Sequence, residues 1–191
     1  KASKYAKADY VPSPQSLIDV GPYNNPNHGG TQYTNDGCAA YYNALMWYLD
    51  GDQANAKKAI EILNGWASTL ETVGEGNDLK LRFSIVGPDY LNAAEILKHI
   101  YNNDPTVANE DKWQAADMAK FDAFIQKLLD KTSEYYPQAN GNWDALIGGF
   151  NMAAAVYLED VDLFNDALTQ MYLGNLQGGN TASMGSLPNY V

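Results

Sequence analysis

Hydrophobic side chains recur at three- and four-residue steps along most of the chain after residue 35, which is the pattern of amphipathic helices. Ala56, Ala59, Leu63 and Trp66 follow it within the segment 53–70. Similar runs predict further helices over residues 36–50, 89–101, 111–135, 142–158 and 162–173. The pattern is therefore typical of an all-α protein.

The predicted helices pair into antiparallel hairpins. Asp50-Gly51-Asp52 is a tight turn between the first two helices. A single offset along the chain pairs Asn43 with Asn151, Asp52 with Asp160 and Ala59 with Ala167, so the first and last hairpins are similar. The first helix of each hairpin is apolar nearly all round, as a doubly covered inner helix requires, and the second is more charged. Stacked hairpins bury their faces against neighbours, which predicts an (α/α) toroid or an incomplete barrel.

Residues 1–35 have a different pattern and predict an extended N-terminal arm. Four prolines, at positions 12, 14, 22 and 26, interrupt any helix there. A second loop is predicted over 73–89, with a short extended piece near residues 79–85. Residues 36–191 then form the toroid domain. We expect this domain to be incomplete at its C-terminus, because the chain stops abruptly at Val191 and further sequence is expected to follow.

The charge balance limits the partners. With 12 Lys and Arg against 23 Asp and Glu, the formal net charge is -11. Such a chain lacks the basic surface that nucleic acids and anionic membranes require, so neither is an expected partner. An anionic polymer would also be repelled at long range, and its site must be a local group of donors. The Tyr-, Asn- and Gly-rich composition suits a secreted or periplasmic protein. The one cysteine, Cys38, is expected to be a buried structural thiol, and no motif implies a metal or organic cofactor.

Several segments resemble the alginate-lyase superfamily of polysaccharide lyases. The opening hairpin is similar through Asn35-Asp36-Gly37-Cys38-Ala39-Ala40-Tyr41, Trp47-Tyr48 and Gly51-Asp52. The following helices are similar through Lys58-Ala59-Ile60-Glu61-Ile62-Leu63-Asn64 with Trp66, and through Ala93-Ala94-Glu95-Ile96-Leu97. Asn140-Gly141-Asn142-Trp143, before an Ala-rich helix, resembles the family's Asn-containing active-site segment. The resemblance spans roughly residues 35–175.

The resemblance implies an α/α toroid that cleaves a uronic-acid polymer, such as alginate or glucuronan, by β-elimination. In that family an Asn neutralises the substrate carboxylate, while His, Arg and Tyr complete proton transfer. For the branch that this chain resembles, an Arg- and His-bearing helix is expected beyond residue 191. The remaining C-terminal part of the enzyme is therefore an expected partner of this segment, together with the acidic polysaccharide.

Asn142 is the predicted catalytic residue. It lies at the predicted N-terminus of the fifth helix, where free backbone N–H groups and the helix dipole favour an anion. Its amide is suited to donate a hydrogen bond to the uronate carboxylate. The alternative is that Asn142 only caps the helix, a role that asparagine fills well.

Five further residues are candidate substrate-binding positions. Trp143 stands where some relatives have His, so it cannot act as a base; it is either a stacking surface for a sugar or a core residue. His28 belongs to a Gly- and Asn-rich loop, which forms a lid or an exposed turn. Arg82, the one arginine, suits either carboxylate recognition or a surface salt bridge. Tyr23 and Tyr90 are predicted to lie on loops near the site.

Two other functions are compatible with the same architecture. An inverting glycoside hydrolase requires two separated carboxylates, for which Asp36 and Asp144 are candidates, although helix capping also explains both. A non-catalytic helical-repeat scaffold would bind a carbohydrate without cleaving it. The products distinguish these alternatives, since elimination leaves an unsaturated sugar end that absorbs ultraviolet light.

Overall fold

The computed structural model describes residues 3–134 and 141–173, with side chains described up to residue 171. Six α-helices make up most of it: α1 (Gly30–Asp50), α2 (Gln53–Thr69), α3 (Leu79–Glu95), α4 (Ala115–Ser133), α5 (Gly141–Leu158) and α6 (Val161–Leu173). Three short strands, β1 (Leu17–Val20), β2 (Asn27–His28) and β3 (Thr72–Val73), form one small sheet in the order β2-β1-β3. The all-α prediction is confirmed.

The helices form two layers. In the inner layer α3 lies between α1 and α5 and packs on both. In the outer layer α2 packs on α1 and α4, while α6 packs on α5. The core between the layers contains large aromatic side chains with no exposed surface, among them Tyr33, Trp66, Phe83 and Phe150. This is the predicted division into inner and outer helices, whereas closure of the layers into a toroid stays a prediction.

The three inner helices run parallel, so that their N-termini lie at the same end of the layer. Gly37 of α1 packs against Val86 and Tyr90 of α3, and a Cβ atom at Gly37 would lie only 2.6 Å from the Tyr90 ring. Gly87 of α3 packs equally tightly against the ring of Phe150 of α5. The register of these contacts places the first turns of α1, α3 and α5 beside one another.

Helix α1 begins at Gly30, six residues before the predicted start. Gly29, with φ +70°, precedes the helix in the left-handed conformation that glycine tolerates. Asp36, proposed as a cap, is instead buried inside α1. Its carboxylate accepts hydrogen bonds from Tyr10 Oη (2.6 Å), Ser13 N (2.9 Å) and Trp66 Nε1 (2.8 Å). These contacts attach the N-terminal segment to the first hairpin.

Helix α3 begins at Leu79, ten residues before the predicted start, and the loop expected over 73–89 was therefore wrong. Pro88 lies inside the helix, although proline normally disrupts one. Burial of Leu79, Phe83 and Tyr90 on one helical face stabilises α3 despite Pro88. The helix then continues through a five-residue π-helical segment, Ile96–Ile100.

The remaining helix predictions agree with the structure to within a few residues. Gly51, with φ +76°, forms the predicted turn, and Asp52 caps α2 by accepting a hydrogen bond from Ala54 N (2.9 Å). The predicted end of α4 at residue 135, Asn140 of the active-site segment, and the chain end at 174–191 lie outside the described residues. Over the part of the chain that is described, no helix is long and apolar enough to cross a membrane.

Candidate active site on the inner layer

The inner layer has one side that the outer layer does not cover, here called the front face. Its residues follow helical spacing and are exposed or half-buried. They are Thr34, Cys38 and Tyr42 on α1; Arg82, Ile85, Asp89 and Asn92 on α3; and Asn142, Ala145 and Gly149 on α5. A Cβ atom built on Gly149 meets no atom within 4 Å, so open space lies in front of α5. The front face is the surface on which a polymer can bind.

Asn142 is an exposed side chain in the first turn of α5. On this helix Phe150 faces α3, and Asn151 faces α4, whose Thr132 donates to it at 3.3 Å. Helical geometry then directs Asn142 away from the outer layer, in line with Gly149. Since Asn142 is the second residue of the helix, the capping alternative is not supported.

Arg82 lies on α3 at the same end of the front face as Asn142. Its Nη1 donates to Thr34 Oγ1 (2.8 Å) and its Nη2 donates to Asn24 Oδ1 (2.7 Å). Both acceptors are neutral, and no ion pair joins Arg82 to any residue in the two described stretches. The salt-bridge alternative is therefore not supported, and the guanidinium charge is available to an anionic ligand.

An open pocket of about 340 Å³ adjoins Arg82. Its walls are Tyr23, Asn24, Thr34, Asp78, Leu81, Arg82, Ile85 and Val86. Tyr23 is 99% exposed and, like Asn24, has a positive φ, which projects this turn over the first turns of α1 and α3. Two of the predicted binding residues, Tyr23 and Arg82, thus share one pocket.

The other two candidates lie near the same end of the layer. His28 is exposed on strand β2, where it pairs with Asp19 of β1. The neighbouring Asn27 Nδ2 donates to Thr31 Oγ1 of α1 (2.9 Å), which fixes this strand beside the start of α1. Trp143 is half-buried in the first turn of α5, next to Asn142. Both positions remain predictions for substrate binding.

Tyr90 was wrongly predicted to be a loop residue near the site. It lies inside α3 with no exposed surface, and its hydroxyl donates to the backbone oxygen of Tyr33 (2.9 Å). Its ring stacks on that of Tyr33, with centroids 4.9 Å apart. Tyr90 is a core residue, because the face of α3 that carries it packs against Tyr33 and Gly37 of α1.

The two carboxylates proposed for a hydrolase are not placed for hydrolysis. Asp36 is 1% exposed and its oxygens already accept three hydrogen bonds. Asp144 is 2% exposed and helical geometry turns it away from Asn142. Since neither reaches the front face, the hydrolase alternative loses both of its candidate residues.

The family model for alginate lyases matches residues 1–191 of the chain. The chain belongs to the alginate lyase family. Among curated proteins and solved structures, none matches. Family membership confirms the resemblance found in the sequence and supports polysaccharide lyase activity in general, with a polysaccharide as substrate.

In this alginate lyase family member, sequence analysis missed a second group of polar residues on the front face. Asp89 lies two turns after Arg82 on α3, and Cys38 and Tyr42 lie four residues apart on α1. Burial raises the pKa of Asp89. Burial also raises the pKa of the Cys38 thiol, and the Asp89 charge adds to this rise while a hydrogen bond from Tyr42 opposes it. The spacing from Arg82 would have indicated Asp89, had α3 been predicted from Leu79.

Among the residues that the structure describes, no three His, Cys, Asp or Glu side chains are grouped so as to hold a metal ion. The polar groups of the front face are amide, guanidinium, hydroxyl and carboxyl groups. Their chemistry is hydrogen bonding and charge recognition, which suits a polyhydroxylated acidic ligand.

Proposed function

We propose that this polysaccharide lyase cleaves a uronic-acid polymer, alginate or glucuronan, by β-elimination, and that Asn142 neutralises the carboxylate of the sugar at the cleaved bond. The observation that carries the proposal is the position of Asn142. It is exposed on the front face, in the first turn of an inner helix, at the end of the layer where Arg82 forms no ion pair with any described residue.

β-Elimination places special demands on the carboxylate. A base removes the proton from the ring carbon that carries the carboxylate, and negative charge spreads into that group. The bond to the leaving glycosidic oxygen then breaks, the oxygen gains a proton, and a double bond forms in the sugar. Donors that stay fixed while charge develops lower the barrier to this reaction. The Asn142 amide is a donor of this kind, and the dipole of α5 adds positive potential at the helix N-terminus.

The surrounding residues supply binding. Arg82 offers a cation to a second carboxylate, or to the same one, while Tyr23, His28 and Trp143 provide surfaces for sugar rings near the pocket. The proposal leaves the base and the acid unassigned. It also places the enzyme outside the cytoplasm, secreted or periplasmic, where such polymers are found.

The full-length protein should produce new ultraviolet-absorbing ends from alginate or glucuronan and none from a neutral glucan. Asn142→Ala should then reduce turnover by about 100-fold or more, as loss of a donor to a developing anion does. Asn142→Asp should reduce it further, because its charge repels the carboxylate. Steady-state ultraviolet assays measure both effects.

Asn165→Ala is the matched control, since Asn165 is exposed on outer helix α6. It should leave turnover unchanged, and circular dichroism should show that all three variants are folded. Normal turnover in Asn142→Ala would refute the assigned role. Neutral glucan cleaved without unsaturated ends would refute the lyase proposal as a whole.

A further inference from the structure

The contact between α1 and α3 continues along the front face beyond the pocket at Arg82. Gly37 packs against Val86 and Tyr90, so the two helices lie in close contact along this seam. Thr34 and Arg82 are bonded across it, and the parallel register then places Asp89 opposite the part of α1 that follows Cys38. Asp89 and Arg82 are seven residues apart, which is two turns or about 10 Å along α3.

Asp89 makes no hydrogen bond or ion pair with the residues that the structure describes. Its side chain is half-buried. A carboxylate that has lost part of its hydration without gaining donors is unfavourable unless a ligand supplies them. Asp36, by contrast, is more deeply buried and accepts three hydrogen bonds.

The neighbours of Asp89 on the front face carry O–H and S–H groups rather than cations. Tyr42 is 38% exposed, and burial keeps Cys38 as a thiol. Among the described residues, no positive charge lies beside Asp89, so a second uronate carboxylate would be repelled by it. Sugar hydroxyl groups, in contrast, can donate hydrogen bonds to a carboxylate, and such charge-assisted bonds are stronger than those between neutral groups.

We propose that Asp89 and Tyr42 form a sugar subsite that recognises the free ring hydroxyls of a uronic-acid residue, next to the part of the polymer that binds at Asn142 and Arg82. The proposal rests on the proposed function and adds a specificity to it. Two turns of helix exceed the width of one pyranose ring, so Arg82 and Asp89 contact different sugars. Asp89 accepts hydrogen bonds from adjacent hydroxyls, while the Tyr42 ring provides a surface for the sugar face.

This subsite predicts discrimination against substrates whose hydroxyls are esterified. A uronan that the wild-type enzyme cleaves should become a poor substrate after chemical O-acetylation, since esterification removes the donors and adds bulk at Asp89. Asp89→Ala and Asp89→Asn should raise KM for the unmodified polymer about fivefold or more, with a smaller change in kcat. In Asp89→Ala, the KM ratio between acetylated and unmodified polymer should fall towards one.

These assays are run at about 0.15 M salt, where long-range repulsion is screened. Asp162→Asn removes one negative charge from outer helix α6 and should leave both KM and the acetylation ratio unchanged. An unchanged acetylation ratio in Asp89→Ala, or a lower KM in Asp89→Asn, would overturn the proposal. The second result would mean that Asp89 merely repels the polymer.

Cys38 allows a test that does not depend on turnover. It is the one cysteine of the chain and lies on the front face beside Tyr42. In the Asn142→Ala enzyme, uronan oligosaccharides should slow the labelling of Cys38 by a thiol reagent, and Asp89→Ala should abolish this protection. If Asp89→Ala abolishes the protection but the wild-type enzyme cleaves no uronan, the lyase proposal alone is disproved. Cleavage without any protection of Cys38 would disprove the subsite alone.

Discussion

Asp144 is a carboxyl group buried two residues after Asn142, and its Oδ1 atom has no hydrogen-bond partner among the described residues. Burial raises the pKa of Asp144 to about 6 from an ordinary value of 3.8. The folded protein therefore binds this proton more tightly than the unfolded chain does. The contribution of Asp144 to stability should be greatest below pH 4, fall as the pH rises to about 6, and stay constant above it.

Asp144→Asn should remove the loss of stability that ionisation of Asp144 causes as the pH rises. From the pKa shift, the variant should be more stable than wild type at pH 7 by up to about 3 kcal/mol, with the difference disappearing near pH 4. Urea unfolding between pH 4 and pH 8 measures the effect. Asp166→Asn on the exposed surface of α6 should change stability by less than about 0.5 kcal/mol. Equal stability of Asp144→Asn and wild type at pH 7 would show that the buried Asp144 carboxylate accepts a hydrogen bond in the folded protein.

The individual site residues differ in how far the sequence predicted them. Asn142 was indicated by a motif and a helix start, and Arg82 by being the one arginine; both lie on the front face. Tyr90 was assigned from a wrong loop prediction. Asp89 was missed because its significance depends on the absence of hydrogen-bond donors to its carboxylate among the described residues. That absence results from the packing of α1 against α3.

Contact between α3 and α5 depends on the absence of a side chain at Gly87. A Cβ atom there would lie 2.4 Å from Cε2 of Phe150, and the buried ring must then move. Gly87→Ala should destabilise the protein by about 1 to 3 kcal/mol through overpacking. It should also lower lyase activity, since α5 carries Asn142. Urea unfolding and the ultraviolet assay measure the two effects.

Gly149→Ala is the matched substitution within α5. A Cβ atom at Gly149 has no neighbour within 4 Å, so only the intrinsic helix preference for alanine applies, which is worth up to about 1 kcal/mol. This variant should be as stable as wild type or more so. If Gly87→Ala were equally well tolerated, the inner helices would lie further apart than the structure indicates.

At the scale of elements, the sequence predicted those helices whose boundaries are marked by residues with one clear preference. Gly51 and Asp52 mark the junction of α1 and α2. Helix α1 was predicted to begin too late because Pro26, Gly29 and Gly30 lie near its start, and α3 because Gly87 and Pro88 lie in its interior. Both helices are stabilised by burial of aromatic side chains, Tyr33 in α1 and Phe83 in α3. Tertiary packing of this kind overrides the local helix propensity, and it cannot be predicted from the sequence alone.

For the whole molecule, the internal similarity detected in the sequence corresponds to matching structural roles. Asn43 and Asn151 are both buried in inner helices, and each accepts a side-chain hydrogen bond from an outer helix. Asp52 and Asp160 each accept a hydrogen bond from a backbone N–H in the first turn of an outer helix. The two hairpins therefore share these two structural roles, which is consistent with stacked helical repeats.

The net charge of -11 opposes the approach of a polyanionic substrate, whereas Arg82 and the N-terminus of α5 attract it at short range. Screening affects these two contributions differently. The Debye length falls from about 30 Å at 0.01 M salt to about 8 Å at 0.15 M. Repulsion by distant surface carboxylates is lost over this range, while hydrogen bonds made in contact with the polymer are largely retained.

KM for a uronan should therefore fall as salt rises from about 0.01 M to 0.15 M, with a smaller change in kcat, in contrast to proteins that bind polyanions through a basic surface. The combined variant Glu71→Gln/Glu110→Gln neutralises two exposed carboxylates outside the front face and provides the comparison. It should have a lower KM than wild type at low salt and a weaker salt dependence, because less repulsion remains to be screened. A KM that rises steadily with salt in both proteins would mean that long-range attraction, absent from the charge distribution described here, guides the polymer to the front face.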